Sequence, residues 1–120
     1  MKQIYIADDD FDIINSIGIW LKRRNYLVRG FLNAELLYKG LEMQLPDLIL
    51  LDVQLGAEDG RKICKDIKMR YEEKIPVILF SMVHDSVKDM EESHADDFIP
   101  KNVSLQELTA LLQKHMQLEH

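Results

Sequence analysis

The apolar residues follow two alternating patterns along the chain. Three runs, Ile4-Tyr5-Ile6-Ala7, Leu48-Ile49-Leu50-Leu51 and Val77-Ile78-Leu79-Phe80, show no regular polar alternation. Such runs read as strands covered on both faces, the habit of parallel sheets. Leu27 to Phe31 is more mixed, as an edge strand should be, and Asp97-Phe98-Ile99-Pro100 is a fifth, short strand. Between these runs apolar side chains recur at helical spacing. Asp12 to Arg24 carries Ile13, Ile14, Ile17, Trp20 and Leu21, with Asp10 or Asp12 as N-cap and Asn25 as a left-handed stop. Asn33 caps a helix with Leu36, Leu37, Leu41 and Met43 as its apolar positions, and Gly60 to Arg70 presents Ile63, Cys64 and Ile67. His84 to Ser93 is a polar helix anchored by Val87 and Met90. Ser104 with Glu107 makes a capping box for a last helix, whose core face is Leu105, Leu108, Leu111 and Leu112.

Five strands alternating with five helices predict an α/β, (βα)5 three-layer sandwich joined by right-handed crossovers. In such sheets ligands bind beyond the carboxyl ends of the strands, where the strand order reverses. The residues just after each apolar run are therefore the ones to read for chemistry. Asp8, Asp9 and Asp10 follow the first run, Asp52 the third, Ser81 the fourth and Lys101 the fifth.

Asp8, Asp9 and Asp52 are expected to converge. At about 5 Å and an effective dielectric near 20, each like-charged pair repels by roughly 3 kcal/mol. Such a cluster needs a cation, or one member must take a proton. Carboxylate oxygens supplemented by water suit Mg²⁺ better than a softer metal. Asp10 and Asp12 are expected to do no more than cap the helix and complement its dipole. A carboxylate such as Asp52 beside Mg²⁺ can attack a phosphoryl group and become an acyl phosphate. Lys101 can act as a point charge on a phosphoryl oxygen, and the Ser81 hydroxyl can donate to another.

Composition narrows the setting. The chain has 120 residues, one domain's worth, with 47% hydrophobic and 30% charged residues, too apolar for disorder. Lys and Arg number 15 against 21 Asp and Glu, a net charge of −6 that argues against direct nucleic-acid binding by this domain. Cys64 has no partner for an internal disulfide, which fits a reducing, cytoplasmic setting. No apolar run approaches the roughly 20 residues needed to cross a membrane, and no signal-peptide pattern opens the chain. Leu118-Glu119-His120 reads as the start of a cloning tag, leaving a domain of residues 1–117.

With these residues in place the sequence resembles the receiver domain of two-component response regulators. The resemblance covers residues 2 to 116. It rests on Ile-Ala-Asp8-Asp9-Asp10, on Pro46-Asp47-Leu-Ile-Leu-Leu-Asp52 with Gly60 eight residues on, on Ile75-Pro76-Val-Ile-Leu-Phe-Ser81, and on Ala95-Asp96-Asp97-Phe98-Ile99-Pro100-Lys101. It implies a flavodoxin-like five-stranded parallel sheet in the order 2-1-3-4-5. It further implies that Asp52 accepts phosphate from a sensor histidine kinase or histidine phosphotransfer protein. Asp8, Asp9, Asp52 and the backbone carbonyl of Gln54 would hold Mg²⁺, while Ser81 and Lys101 would contact the phosphoryl group. Ser81 and Phe98 would form the switch, and the face from the fourth helix to the fifth would bind partners, including a second copy. Such a domain catalyses its own phosphorylation and dephosphorylation and is not a turnover enzyme. A stand-alone receiver and one followed by an output domain look alike in this sequence.

Three positions depart from the family pattern. Gly56 replaces a frequent proline, so a looser loop is expected. Asn102 replaces the proline after the lysine, so the usual cis bond is not expected and Lys101 is expected to aim differently. Met82 stands where a very small residue is usual, and is expected to narrow access to Asp52. These departures motivate an alternative, a phosphate-independent receiver-like interaction module. A magnesium phosphohydrolase of the haloacid dehalogenase class, suggested by Asp8-Asp9-Asp10, lacks the Thr or Val expected at Asp12 and has no room for a cap domain. A calcium loop starting at Asp8 lacks Gly at Ile13 and Glu at Ile19. Trp20 and Cys64 read as core residues, and His84, His94 and His115 are too scattered for a metal site.

Overall fold

The computed structural model describes residues 1–82 and 91–117. Leu48 to Asp52 is buried at every position and forms a central strand. In chain order the elements are β1 (Gln3–Ala7), α1 (Phe11–Lys22), β2 (Leu27–Phe31), α2 (Ala34–Met43), β3 (Leu48–Asp52), β4 (Gln54–Leu55), β5 (Glu58–Asp59), α3 (Gly60–Arg70), β6 (Val77–Ser81), the helical residues 91–93 labelled α4, β7 (Asp97–Pro100) and α5 (Leu105–Gln117). The main sheet runs β2-β1-β3-β6-β7, all parallel. Without the small β4–β5 hairpin, this is the expected order 2-1-3-4-5. The expected helix from His84, with Val87 and Met90, lies outside the described residues apart from 91–93, as do Leu118 to His120.

Alternation along the strands divides the core into two layers. Ile4, Ile6, Leu48, Leu50, Ile78, Phe80 and Ile99 face Ile17 and Leu21 of α1 and Leu108, Leu112 and Met116 of α5. Tyr5, Ala7, Ile49, Leu51, Val77 and Leu79 face Leu37 and Leu41 of α2 and Ile63, Cys64 and Ile67 of α3. Both faces of the sheet are thus covered, which is why its strands carry no polar alternation.

The helix boundaries follow the capping chemistry. Asp10 caps α1 by accepting from the Asp12 amide, and Asn33 caps α2 through the Leu36 amide. Ser104 caps α5 through the Glu107 amide. Asn25 takes the left-handed conformation at φ 69° after α1. Two expectations for α2 fail: Leu36 and Met43 are exposed and point away from the sheet, leaving Leu37 and Leu41 as its anchors. Trp20 is half-buried, its Nε1 donating to Thr109 Oγ1 at 2.7 Å and so tying α1 to α5.

A buried ion pair at the N-terminal edge of the sheet is not predicted by the pattern. Lys68 of α3 is 4% exposed, and its ammonium donates to Asp96 Oδ2 at 2.7 Å and to the Ile75 carbonyl at 3.0 Å. The same Asp96 oxygen accepts from the Val77 amide at 2.7 Å. Three segments, α3 and the starts of β6 and β7, meet at one carboxylate. Asp96→Ala leaves the ammonium buried with one carbonyl partner, and an unfolding free energy lowered by about 3 kcal/mol is expected in urea titration. A loss below about 1 kcal/mol would show that Lys68 simply swings out to water.

Candidate functional site

The carboxyl ends of β1, β3 and β7 bring together the predicted acids and lysine. Asp8 and Asp52 continue the rows of Ile4–Ile6 and Leu48–Leu50, and are 1% and 6% exposed. Each makes the same local turn. Asp8 Oδ1 accepts from the Asp10 amide at 2.9 Å, and Asp52 Oδ1 from the Gln54 amide at 3.1 Å. These Asx turns fix one oxygen of each carboxylate on the backbone and turn the other inward.

Lys101 occupies the point where the free oxygens meet. Its ammonium lies 2.9 Å from Asp8 Oδ2 and 3.1 Å from Asp52 Oδ2. The Lys101 amide bonds the Ser81 carbonyl at 2.7 Å, so the register of β7 on β6 sets where the side chain starts. Asp9 is exposed, on the loop beside them. Oxygens of Asp8, Asp9 and Asp52 all lie within 4.8 Å of one another. A cleft of about 360 Å³ opens over this cluster, lined by Asp9, Asp52, Val53, Gln54, Ser81, Met82 and Lys101.

The charges are tightly constrained. Burial raises the Asp52 carboxyl from 3.8 to about 6, assisted by the negative charge of Asp8 and opposed by the Gln54 amide and Lys101. Burial pulls Lys101 down, but its bonds to Asp8 and Asp52 outweigh that and raise it above its usual value. Asp8 Oδ2 is sealed from solvent and faces the Lys101 ammonium at 2.9 Å. A hard divalent cation would add a second positive partner for that oxygen, and the donor set of three carboxylates matches its chemistry.

The sequence pattern of the family described as the response regulator receiver domain matches residues 4–113. The chain belongs to that family. It is similar to the nisin biosynthesis regulatory protein NisR of Lactococcus lactis subsp. lactis, 34% identical over 98% of this chain and 51% of that protein. The receiver therefore spans about half the length of that relative. Among solved structures it resembles a BeF3-activated DrrB receiver domain, 28% identical with a TM-score of 0.86 over 98% of each chain. It also overlays on the response regulator TrrA of Thermotoga maritima in complex with Mg(2+)-BeF, covering 96% and 99% of the two chains with a TM-score of 0.86. At 23% identity that likeness speaks for the fold alone.

The structure bears on the positions that depart from the receiver pattern. Asn102 does not misdirect Lys101, which reaches both carboxylates with every described peptide bond trans. Gly56 sits in a regular turn. It adopts φ 62° at the turn between Leu55 and Glu58, a position that favours glycine, and closes the β4–β5 hairpin. Met82 lines the cleft rim but is 80% exposed, so its thioether lies largely in solvent and does not fill the opening. Ser81 is buried at the end of β6, in the row of Leu79, and Phe98 pairs in register with Leu79 on the neighbouring strand. Phe98 is half-buried against the core layer of α2 and α3.

The raised carboxyl of Asp52 makes a signed prediction. The folded state keeps its proton to higher pH than the unfolded chain does, so stability falls as pH rises from about 4 through about 6. Asp52→Asn removes that penalty. At pH 7.5 and without divalent metal, the variant should be more stable by on the order of 1–3 kcal/mol in chemical denaturation. Below pH 4 the two curves should coincide. Equal stability at pH 7.5 would mean that Lys101 already neutralises the site.

Proposed function

We infer that this receiver is a phosphorylation-activated signalling switch of a two-component phosphorelay. Asp52 accepts a phosphoryl group from a sensor histidine kinase or histidine phosphotransfer protein. The observation that carries this reading is the meeting of Asp8, Asp52 and Lys101 at one buried point under an open cleft. The BeF3-activated state of the similar DrrB domain supports it, because trifluoroberyllate has the shape and charge of a phosphoryl group.

Asp8, Asp9, Asp52 and the Gln54 backbone carbonyl would hold Mg²⁺, which when bound offsets the negative charge of the carboxylates and of the phosphoryl oxygens. The rest of the chemistry belongs to the chain. The Gln54 amide holds one Asp52 oxygen and orients the carboxylate. An Asp52 oxygen bonds to phosphorus as the P–N bond of the donor phosphohistidine breaks, and the leaving imidazole keeps the electron pair and takes a proton. Lys101 then pairs with the phosphoryl oxygens in place of Asp52 Oδ2, and Ser81 donates its hydroxyl to another. Hydrolysis returns inorganic phosphate and the free carboxylate, so the domain is a phosphoacceptor and not an enzyme acting on a separate substrate.

The switch runs through Ser81 and Phe98, which lie on one face of neighbouring strands. Inward movement of Ser81 opens space beside Leu79 and Phe98, and the surface from α4 through β7 to α5 changes for its partners, including a second copy of the chain. The working compartment is the cytoplasm, and no described helix is long and apolar enough to cross a membrane. This domain does not itself bind nucleic acid.

Incubation with Mg²⁺ and acetyl phosphate or phosphoramidate, followed by intact mass, tests the reading. One phosphoryl adduct is expected on the wild type and none on Asp52→Ala. Without any adduct from either donor, the chain would instead be a phosphate-independent interaction module.

A further inference from the structure

The segment after the phosphoacceptor strand returns almost to its starting point. The chain leaves β3 at Asp52, forms the hairpin of β4 and β5, and re-enters at Gly60, the first residue of α3. The ladder pairs Gln54 with Asp59 and Leu55 with Glu58. The Gly60 amide then bonds the Val53 carbonyl at 2.6 Å. Asp59 caps α3 through the Arg61 amide, and its carboxylate is held below its usual range by its hydrogen bonds with Arg61. Residues 52 to 60 are thus a closed frame, and both its ends touch.

That contact depends on a missing atom. A Cβ at Gly60 would sit on the Asp52 carbonyl oxygen, and 2.9 Å from both the Asp52 carbonyl carbon and the Val53 Cα. All of these are backbone atoms, which cannot swing aside as a flexible side-chain tip can. Gly60 is buried and its φ lies outside the left-handed range, so glycine is required for close approach and not for backbone conformation. Any larger residue must part α3 from the end of β3. Val53 and Gln54 lie within the parted frame, and the Gln54 amide is what orients Asp52.

We propose that Gly60 is a positioning residue for the metal and phosphoacceptor site: its lack of a side chain lets α3 close on the Asp52 carbonyl and fixes Asp52 and Gln54 as ligands. This inference rests on the metal-binding reading of the preceding section. Gly60 touches neither metal nor phosphoryl group and acts through the backbone of 52 to 54.

The test measures the Mg²⁺ dissociation constant by isothermal titration calorimetry on the whole chain, alongside thermal unfolding. Leu21→Ala, a core deletion in the last turn of α1, serves as the destabilised control away from the site. Gly60→Ala should weaken Mg²⁺ by about tenfold or more, as loss of ligand-orienting contacts does. Leu21→Ala should lower the melting temperature yet keep the wild-type constant while folded. If Gly60→Ala does not fold, Gly56→Ala carries the test: its methyl meets nothing within 4 Å, but its left-handed backbone strains the hairpin, and a weakening of at least about threefold is expected. Wild-type affinity in the folded Gly60→Ala chain, or in Gly56→Ala where that chain is the one tested, overturns the proposal. No Mg²⁺ binding by the wild type overturns instead the metal-site reading beneath it.

Discussion

Two carboxylates buried within reach of one ammonium organise this molecule. Asp8 and Asp52 are both buried, and each keeps one oxygen on a backbone amide and one on Lys101. Two acids cannot be packed so tightly without a counter-charge, because their repulsion is barely screened there. Lys101 supplies one positive charge against three carboxylates when Asp9 is included. The remaining charge of −2 matches a divalent cation, and with that cation in place an incoming phosphoryl group meets no net repulsion. The same shortfall of positive charge explains why burial and Asp8 together push Asp52 towards its protonated form.

The site also joins the two core layers of the fold. Asp8 and Asp52 end strand rows that face α1 and α5, whereas Ser81 and Phe98 belong to rows that face α2 and α3. A group bound over the strand ends touches both rows. The cleft over the strand ends is lined by Asp52 from one row and Ser81 from the other, so the two layers meet there without any long chain of contacts.

Much of this is legible in the sequence, and the reason is geometric. Parallel strands buried on both faces leave unbroken apolar runs, so the ends of β1, β3 and β6 are marked by the first polar residue. Asp8, Asp52 and Ser81 are therefore read directly, and Lys101 follows from the short strand before it. Residues that depend on long-range contact are not legible. Lys68 looks like any lysine on a charged helix, and only the approach of Asp96 from 28 residues away explains its burial. Leu36 and Met43 fit an apolar stripe but lie at its margins, where a one-residue rotation decides burial. Gly56 offers no clue that it closes a hairpin, because the ladder needs Gln54 to meet Asp59 and Leu55 to meet Glu58 as well.

The departures from the family pattern leave the site intact because strand register, and not the flanking residue, aims Lys101. Its amide is bonded to the Ser81 carbonyl, Ser81 pairs with Pro100, and β6 pairs with β3 up to Asp52. At the opposite end of the same two strands, Asp96 holds Val77 and Lys68 together. Sliding β7 by a single residue would break contacts at both ends and turn Ile99 out of the core. With β7 held at both ends, the residue after Lys101 has little power over where its ammonium goes. Asn102 in place of proline therefore leaves the Lys101 ammonium between Asp8 and Asp52.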